Sequence, residues 1–415
     1  MQQTVLRERI DIHRVLTDGV VATHLQPIAS MRRQELIGVE ALARCQLDGE
    51  AISPVALFAA AERAGLAPEL DRLCRRRALE SFRELHARQP ELVLFVNCHV
   101  DTLADSPFGP DGWASLAREF GINPPNIAVE ISEEDLGDVK LAREAAHVLR
   151  ELGFLMVLDD VGVRSANLDR IAELQPDIIK ADRVLVRGVD GDYHRREVLR
   201  SLVVLSERLG GWLIAEGVET AEEAVTVVEA GGDMIQGFLL GRPQQTAAGE
   251  GVQWDQDMAL EVGHRYRAQR VTAGREARSR KEERSAILLS IAEGMRDVEM
   301  GLEAALARLI APYPSIHSAA VLDRDGVQVS DTVLNPVPML RQKTIIYAPP
   351  PRGTDHSLKE YYYLLVAGEA DPFETTPYTP LPTGMLAVTL STRCPGNLGH
   401  IVTLHVSADR WEPVT

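Results

Sequence analysis

Residues 155–160 read Leu155-Met156-Val157-Leu158-Asp159-Asp160. Four apolar residues in a row run straight into two adjacent carboxylates. An apolar run this short, bounded by turn signals, predicts a strand buried on both faces, the kind found in parallel sheets. The same grammar recurs on either side. Towards the N-terminus, Ile127-Ala128-Val129 leads to Glu130, Leu92-Val93-Leu94-Phe95-Val96 to Asn97, and Leu36-Ile37-Gly38-Val39 to Glu40. Towards the C-terminus, Ile178-Ile179 leads to Lys180 and then Asp182, Trp212-Leu213-Ile214-Ala215 to Glu216, and Met234-Ile235 to Gln236. One acid at the end of one strand is ordinarily a cap or an ion-pair partner. Seven polar strand ends in order predict a ring of oxygen ligands at one mouth of a barrel.

Helical patterns fill the gaps. Ser53-Pro54 is a helix start, with Ser as N-cap and Pro at the first helical position. Further helices are expected near Leu70–Arg88, Gly112–Phe120, Val139–Leu152, after Ser165, and near Arg195–Leu209. Thr220 with Glu223 spells a capping box. With an opening strand near Val21–Ile28, eight strands alternate with helices. The βαβ alternation predicts a parallel sheet, closed into a barrel with its active site at the C-terminal mouth. Gly231-Gly232-Asp233-Met234 resembles the start of a cyclase signature, but reads better as glycines ending a helix before a strand.

The chain has 415 residues, enough for two domains, and 45% apolar residues, enough for ordinary cores. A net charge of -17 disfavours nucleic acid as a general partner, because phosphate backbones need Lys/Arg surfaces. It does not exclude a small nucleotide bound through metal ions. Cys45, Cys74, Cys98 and Cys394 have no CxxC pairing and no zinc spacing, so they read as free thiols in a reducing compartment. No apolar run approaches roughly 18 residues, and the N-terminus lacks a signal-peptide core. A soluble, cytoplasmic protein without membrane insertion is expected.

Beyond Arg242-Pro243 the barrel pattern stops. Residues 254–311 read as helices, with Ile287, Leu288, Ile291, Ala292 and Met295, then Leu302, Ala305 and Leu309, at helical spacing. They serve either as a signalling spacer or as a plain connector. From Ser318 the pattern changes. Ser318–Leu322 and Val327–Ser330 flank Asp323-Arg324-Asp325-Gly326, a hairpin signal, and strands are expected near Tyr361–Val366, Met385–Ser391 and His400–Val406. The expected division is a barrel over 1–248, a helical linker over 249–311 and an α+β sensor-like domain over 312–415.

The chemistry of the mouth follows from its ligand types. Glu40, Asn97, Glu130, Asp159, Asp160 and Glu216 are hard oxygen ligands suited to Mg²⁺ or Mn²⁺. Adjacent aspartates can bridge two ions, and two metals about 3.5–4 Å apart support phosphodiester hydrolysis. Lys180 could hold the nucleophilic water or offset the negative charge.

At this point the motifs resemble a family, the EAL-domain phosphodiesterases, which cleave cyclic di-GMP to linear pGpG. Glu40-Ala41-Leu42 is similar to the motif that names the family, with Arg44 at the phosphate-contacting place. Gln26-Pro27-Ile28, Val96-Asn97, Glu130-Ile131-Ser132-Glu133, Asp159-Asp160, Lys180-Ala181-Asp182, Glu216-Gly217-Val218-Glu219 and Gln236-Gly237-Phe238 match the remaining motifs in order, over about 18–245. The resemblance implies a (β/α)8 TIM-like barrel with its first strand antiparallel. It implies one metal on Glu40, Asn97, Glu130 and Asp159, and a second on Asp159, Asp160 and Glu216. Lys180 and Gln236 would stand beside the catalytic water with Glu216 and Glu40. Gln26, Leu42, Arg44, Asn97, Asp182 and Pro243 would contact the substrate, and Glu133 and Glu219 would anchor a loop. A homodimer is implied as well. One stretch departs from the family. Where it reads DDFGTGYSSL, this chain has Asp159-Asp160-Val161-Gly162-Val163-Arg164-Ser165-Ala166-Asn167-Leu168. That loop shapes the second metal site and the dimer interface in the family, so a weakly active or silent cyclic di-GMP receptor is the alternative reading. The C-terminal segment resembles the PAS/Cache-like domain attached to some EAL proteins, through Asp325–Asp331, Asp355–Tyr362, Thr376-Pro377-Tyr378 and Thr383-Gly384. It implies an unknown small-molecule ligand or protein partner there, with Tyr361, Tyr362 and Tyr363 either lining a pocket or alternating along a strand.

Overall fold

The computed structural model describes residues 10–18, 21–103, 109–132, 139–162, 168–246, 250–335, 348–368, 370–379, 386–396 and 398–408. The chain forms two compact units, Met1–Gln269 and Arg270–Thr415.

The first unit is a closed barrel. Its strands are β1 Val21–Ser30, β2 Glu35–Leu47, β3 Glu50–Ile52, β4 Val93–Asn97, β5 Ile127–Ser132, β6 Leu155–Val161, β7 Ile178–Ala181, β8 Trp212–Ala215 and β9 Met234–Gln236. The pairs β2–β4, β4–β5, β5–β6, β6–β7, β7–β8 and β8–β9 are parallel. β1 pairs antiparallel with both β2 and β9 and closes the ring, while the short β3 folds back on β2 outside it. The antiparallel start has a simple cause. Only residues 31–34 join β1 to β2, too few for the crossover of a dozen or more that a parallel pair requires. Every other barrel link carries helix. Ser53 caps the helix Pro54–Ala64 by accepting from the Ala56 amide at 3.3 Å, and Thr220 and Glu223 form the expected capping box on Ala221–Glu229. The glycines of 231–232 follow that helix, and Asp233 accepts from Ser30 Oγ and the Arg32 amide at 2.8 Å each. That segment is a structural turn.

Inside the barrel, Ile28, Phe95, Ala128, Val157, Ile178, Ile214 and Met234 form a dry plug. Gly38 belongs to the same layer. A Cβ there would stand 2.9 Å from the Phe95 ring and press on the Val93 carbonyl, so glycine makes room for the ring.

The helix Gln256–Gly294 contributes to both cores. Ala259 and Val262 belong to that of the first unit, and Leu288, Ile291 and Ala292 to that of the second. With Leu302–Ile310 it accounts for the helical pattern expected over 254–311. No helix among the described residues is long and apolar enough to cross a membrane.

The second unit holds a five-stranded antiparallel sheet in the order β11-β10-β14-β13-β12, from β10 Ile316–Leu322, β11 Val333–Leu334, β12 Phe373–Glu374, β13 Ala387–Arg393 and β14 Ile401–Ser407. The expected turn at 323–326 is present, with Gly326 at φ +87 and Asp323 N–H donating to the Val327 carbonyl at 2.9 Å. Its return arm makes two isolated bridges, Gln328 with Leu322 and Val327 with Asp355, and forms no full strand. The strand expected near Tyr361–Val366 is instead the helix Glu360–Ala367, closed by Gly368 in the left-handed conformation. Tyr361 and Leu365, four apart, are its buried positions. A short apolar run is ambiguous between strand and helix, and here the glycine cap and the tertiary contacts favoured the helix. Thr383-Gly384 lies outside the described residues.

A titration effect belongs to this unit. Burial, aided by His356 and His317, holds the His405 imidazole down to about 4 from an ordinary 6.5. The unfolded chain therefore takes up a proton that the fold refuses. Stability of the second unit should fall as the pH drops from about 6.5 to about 4 and level off below. His405 borders a cavity, which discounts the full shift to about 2 kcal/mol. Burial also lowers His317 and His356, which adds to the same slope. Chemical unfolding of wild type and His405→Gln between pH 7.5 and pH 4 checks this. Parallel profiles for the two proteins would contradict it.

Candidate active site

In a strand, every second residue faces the same way. Two residues beyond each plug position therefore lies another inward side chain, one step nearer the mouth. Phe95 leads to Asn97, Ala128 to Glu130, Val157 to Asp159, Ile178 to Lys180, Ile214 to Glu216 and Met234 to Gln236. On β2, Gly38 leads to Glu40. On the antiparallel β1 the count runs backwards, from Ile28 to Gln26, which pairs in register with Glu40. The dry plug and the polar ring are successive layers of one barrel.

At the centre is Lys180, with no exposed surface. Its Nζ lies 2.5 Å from Glu216 Oε1, 2.7 Å from Glu130 Oε1, 3.5 Å from Glu40 Oε2 and 3.6 Å from Asp159 Oδ1. Gln236 Nε2 donates to Glu40 Oε2 at 2.6 Å and to Gln26 Oε1 at 3.2 Å, and Asn97 Nδ2 donates to Glu40 Oε1 at 3.1 Å. Gln26 Nε2 in turn reaches the Gly241 carbonyl at 3.2 Å. Glu40 is thus held at both oxygens.

Asp159 and Asp160 are neighbours on a strand and would ordinarily face opposite sides. The β6–β7 register shifts between Leu158 and Val161, and Asp160 has φ +59. This bulge turns Asp160 out of the alternation, so that both carboxylates serve one site. Asp160 N–H donates to Asp159 Oδ1 at 2.8 Å, and Ser132 Oγ donates to Asp160 Oδ2 at 3.1 Å.

Four carboxylates and one ammonium in a buried space perturb one another. Burial raises the Glu216 carboxyl to about 8 and that of Asp159 to about 6, against the pull of the Lys180 ammonium. Glu130 is held well above the usual carboxylate range by burial. Burial alone would lower Lys180, but Asp159, Glu130, Glu216 and Glu40 outweigh it and keep the ammonium well above its ordinary value. One cation cannot neutralise this set. Glu130 is fully buried with Lys180 Nζ 2.7 Å from its Oε1, and Asp159, Asp160 and Glu216 each offer an oxygen within 4.8 Å of the others. An excess of hard oxygen donors around a buried centre fits divalent cations.

The rim residues lie farther out. Leu42 and Arg44 follow Glu40 along β2, both half-buried, with Arg44 Nη1 donating to the Ala43 carbonyl at 2.9 Å. Asp182 caps the turn Arg183–Val186, accepting from the Val184 amide at 2.7 Å. Glu219 is exposed. Glu223 accepts from the Glu219 amide at 2.9 Å and the Gly188 amide at 2.8 Å. Glu133 and the altered loop 163–167 with Arg164 lie outside the described residues. Sequence reasoning missed His24, which faces Arg44 and hydrogen-bonds the Pro243 backbone; burial, then the charge of Arg44, lowers its imidazole. The signal was available, since His24, Gln26 and Ile28 are spaced by two. It also passed over Arg242, whose guanidinium lies 4.1 Å over the exposed Phe238 ring.

Residues 10–243 match the family model of the EAL domain. The chain is 27% identical over 240 residues to the probable cyclic di-GMP phosphodiesterase PdeB of Escherichia coli, covering 57% of this chain and 46% of PdeB. It is 29% identical over 235 residues to the cyclic di-GMP phosphodiesterase RocR of Pseudomonas aeruginosa, covering 56% of this chain and 60% of RocR. The chain therefore spans less than two thirds of these curated relatives. Among solved structures, the Bacillus subtilis YkuI protein, with an EAL domain and in complex with cyclic di-GMP and calcium, superposes with a TM-score of 0.78 at 21% identity. That match covers 97% of this chain and 100% of YkuI, so the fold is shared over both units. Klebsiella pneumoniae BlrP1, solved with manganese and cyclic di-GMP, matches at 27% identity and a TM-score of 0.50, over 54% of this chain and 56% of BlrP1.

Proposed function

The chain belongs to the EAL-domain family, and from that membership we propose that its barrel is a metal-dependent phosphodiesterase that hydrolyses cyclic di-GMP to linear pGpG. The observation that carries this reading is the ring of Glu40, Glu130, Asp159 and Glu216 around buried Lys180. Mg²⁺ or Mn²⁺ held by Asp159, Asp160 and Glu216, and by Glu40, Asn97, Glu130 and Asp159, would supply a Lewis acid for the phosphate and a more acidic water.

The chain's own groups do the rest. Lys180 stays protonated and places a fixed positive charge where the phosphate adds negative charge. Gln236 and Asn97 fix both Glu40 oxygens, so that ligand does not reorganise during turnover. Glu216, 2.5 Å from the Lys180 ammonium, would be kept ionised by a bound metal, and as a carboxylate it is suited to orient the attacking water and take its proton. Gln26, Leu42, Arg44, Asp182 and Pro243 form the rim that contacts the nucleotide. The test is to incubate the purified protein with cyclic di-GMP and Mg²⁺ or Mn²⁺ and chromatograph the products. Retention of intact nucleotide on the protein, with no pGpG formed, would reassign it as a receptor.

The same reading makes the protein a cytoplasmic homodimer whose second unit regulates the barrel. Regulation is tested by truncation after Gln269, comparing turnover and oligomeric state with the full chain. The cut belongs there and not after Pro243, because Val252, Ala259 and Val262 are buried in the barrel's core. Each buried Val contributes about 1.5–3 kcal/mol. The shorter piece should therefore melt well below the longer one. Turnover equal to that of the full chain in the Gln269 truncation would leave the second unit without a regulatory role.

A further inference from the structure

The sheet of the second unit has two unlike faces. On one, Ala319, Val321, Leu390, Val402 and Leu404 bury against apolar helix side chains. Alternation puts Ser318, Ala320, Thr389, Thr403 and His405 on the other, where they line a cavity of about 610 Å³. That volume lies within the range of small-molecule sites, about 300–1,000 Å³. The face is hydroxyl-rich and yet buried, with Thr389 only 1% exposed and Thr403 3%. Core packing alone would favour apolar residues at these positions.

A backbone irregularity adds one more polar group. Ile316 pairs with Val406 and Ser318 with His405, so His317 is an extra residue in β10. Without it, strict alternation would put Ile316 and Ser318 on one face. With it, Ile316 joins the apolar core while His317 and Ser318 both line the cavity. His317 is 6% exposed, and its Nδ1 has no hydrogen-bond partner.

The other two histidines are engaged. Gln328 Nε2 donates to the Ser330 carbonyl, Thr332 Oγ1 and the Pro350 carbonyl, which leaves Gln328 Oε1 to accept from His356 Nε2 at 2.9 Å. His356 Nδ1 is then the acceptor for the Tyr361 hydroxyl at 2.6 Å. His405 Nδ1 lies 2.9 Å from both the Tyr378 hydroxyl and Thr389 Oγ1. These networks hold the walls rigid and leave His317 as the unsatisfied group.

The walls also limit what can enter. Lys359 and Glu360 are exposed, and Asp355 is engaged by the Ser357 amide at 2.7 Å. Among the described residues, the charged side chains that line the cavity, Asp355, Lys359 and Glu360, are all exposed, so none is buried inside it to balance an ion. A charged ligand would lose its hydration without a counter-charge. Nor do the histidines gather as metal ligands. Among the described residues, the only three such side chains with ligand atoms within 4.8 Å are Asp159, Asp160 and Glu216. The rings of Tyr361, His356 and His405 pack edge or tilted against one another and present aromatic surface.

We infer that this cavity is a binding site for an uncharged aromatic heterocycle whose hydrogen-bonding edge pairs with His317. The low basicity of the buried imidazoles agrees, since neutral rings give no counter-charge to an anion.

Calorimetric titration of the full chain with indole and with adenine, and with indole-3-carboxylate as the charged counterpart, tests the inference. Saturable binding of an uncharged probe is expected, at least tenfold weaker in His317→Leu. The ligand-free melting temperature of that variant should not fall, because the imidazole loses no hydrogen bond. Ala320→Phe, which fills the cavity from the sheet, should abolish binding independently of His317. Three results would overturn the inference: no saturable binding of either uncharged probe, tighter binding of indole-3-carboxylate than of indole, or unchanged indole affinity in both variants.

Discussion

Glu40→Ala eliminates phosphodiesterase turnover and leaves the barrel folded. Glu40 is the residue that most of the mouth is built around. Its two oxygens receive Asn97 and Gln236, and the second also lies 3.5 Å from Lys180. Alanine removes a metal ligand and frees two amides to reorient, so both the charge at the reacting phosphate and its positioning are lost. Removing one preorganised electrostatic group from an active site costs about 10²–10³ in kcat, and the loss of a ligand should be no smaller. The fold should persist, because the dry plug beneath is untouched. Nucleotide binding should partly survive through Gln26 and Arg44. Product chromatography on the variant, with calorimetry for binding, separates the two effects. Undiminished turnover would remove Glu40 from the site.

Lys180→Met acts on stability first. The substitution preserves volume and deletes the buried cation that faces four carboxylates. Breaking a buried ion pair by removing one partner costs about 3–5 kcal/mol. In the metal-free protein the variant should therefore melt far below wild type. Divalent ions should return much of the difference, because they bind the folded carboxylate ring and not the unfolded chain. Saturation at a hundred times the dissociation constant is worth about 2.7 kcal/mol. Thermal melts of wild type and variant, in chelator and in Mn²⁺, make the comparison. The same melting temperature in chelator for both proteins would show that the ammonium does not neutralise the ring. A variant melt unmoved by Mn²⁺ would show that the ring does not hold the metal.

Much of the barrel was legible in the chain, for a physical reason. A strand buried on both faces must be apolar, and the barrel's mouth must not be. Runs such as Leu155–Leu158 followed by Asp159-Asp160 therefore carry the strand and its active end in one phrase. The helix starts at Ser53-Pro54 and Thr220 were equally plain, because a cap is a local hydrogen bond between residues a few positions apart. The helix Glu360–Ala367 was misread as a strand because three tyrosines and a short aliphatic tail satisfy either periodicity.

The order of strands, the polar residue at each mouth and the change of pattern beyond Pro243 are written in the chain, all consequences of local propensity and period. Which side chains meet depends on how the strands pack. The bulge that turns Asp160 beside Asp159, and the bulge that sends His317 into the cavity of the second unit, come from register against a neighbouring strand, which no single segment encodes. Lys180 could be placed at the mouth from its strand. Its contact with Glu40, Glu130, Asp159 and Glu216 at once, residues up to 140 positions away, exists only because the barrel closes and brings their strand ends to one point.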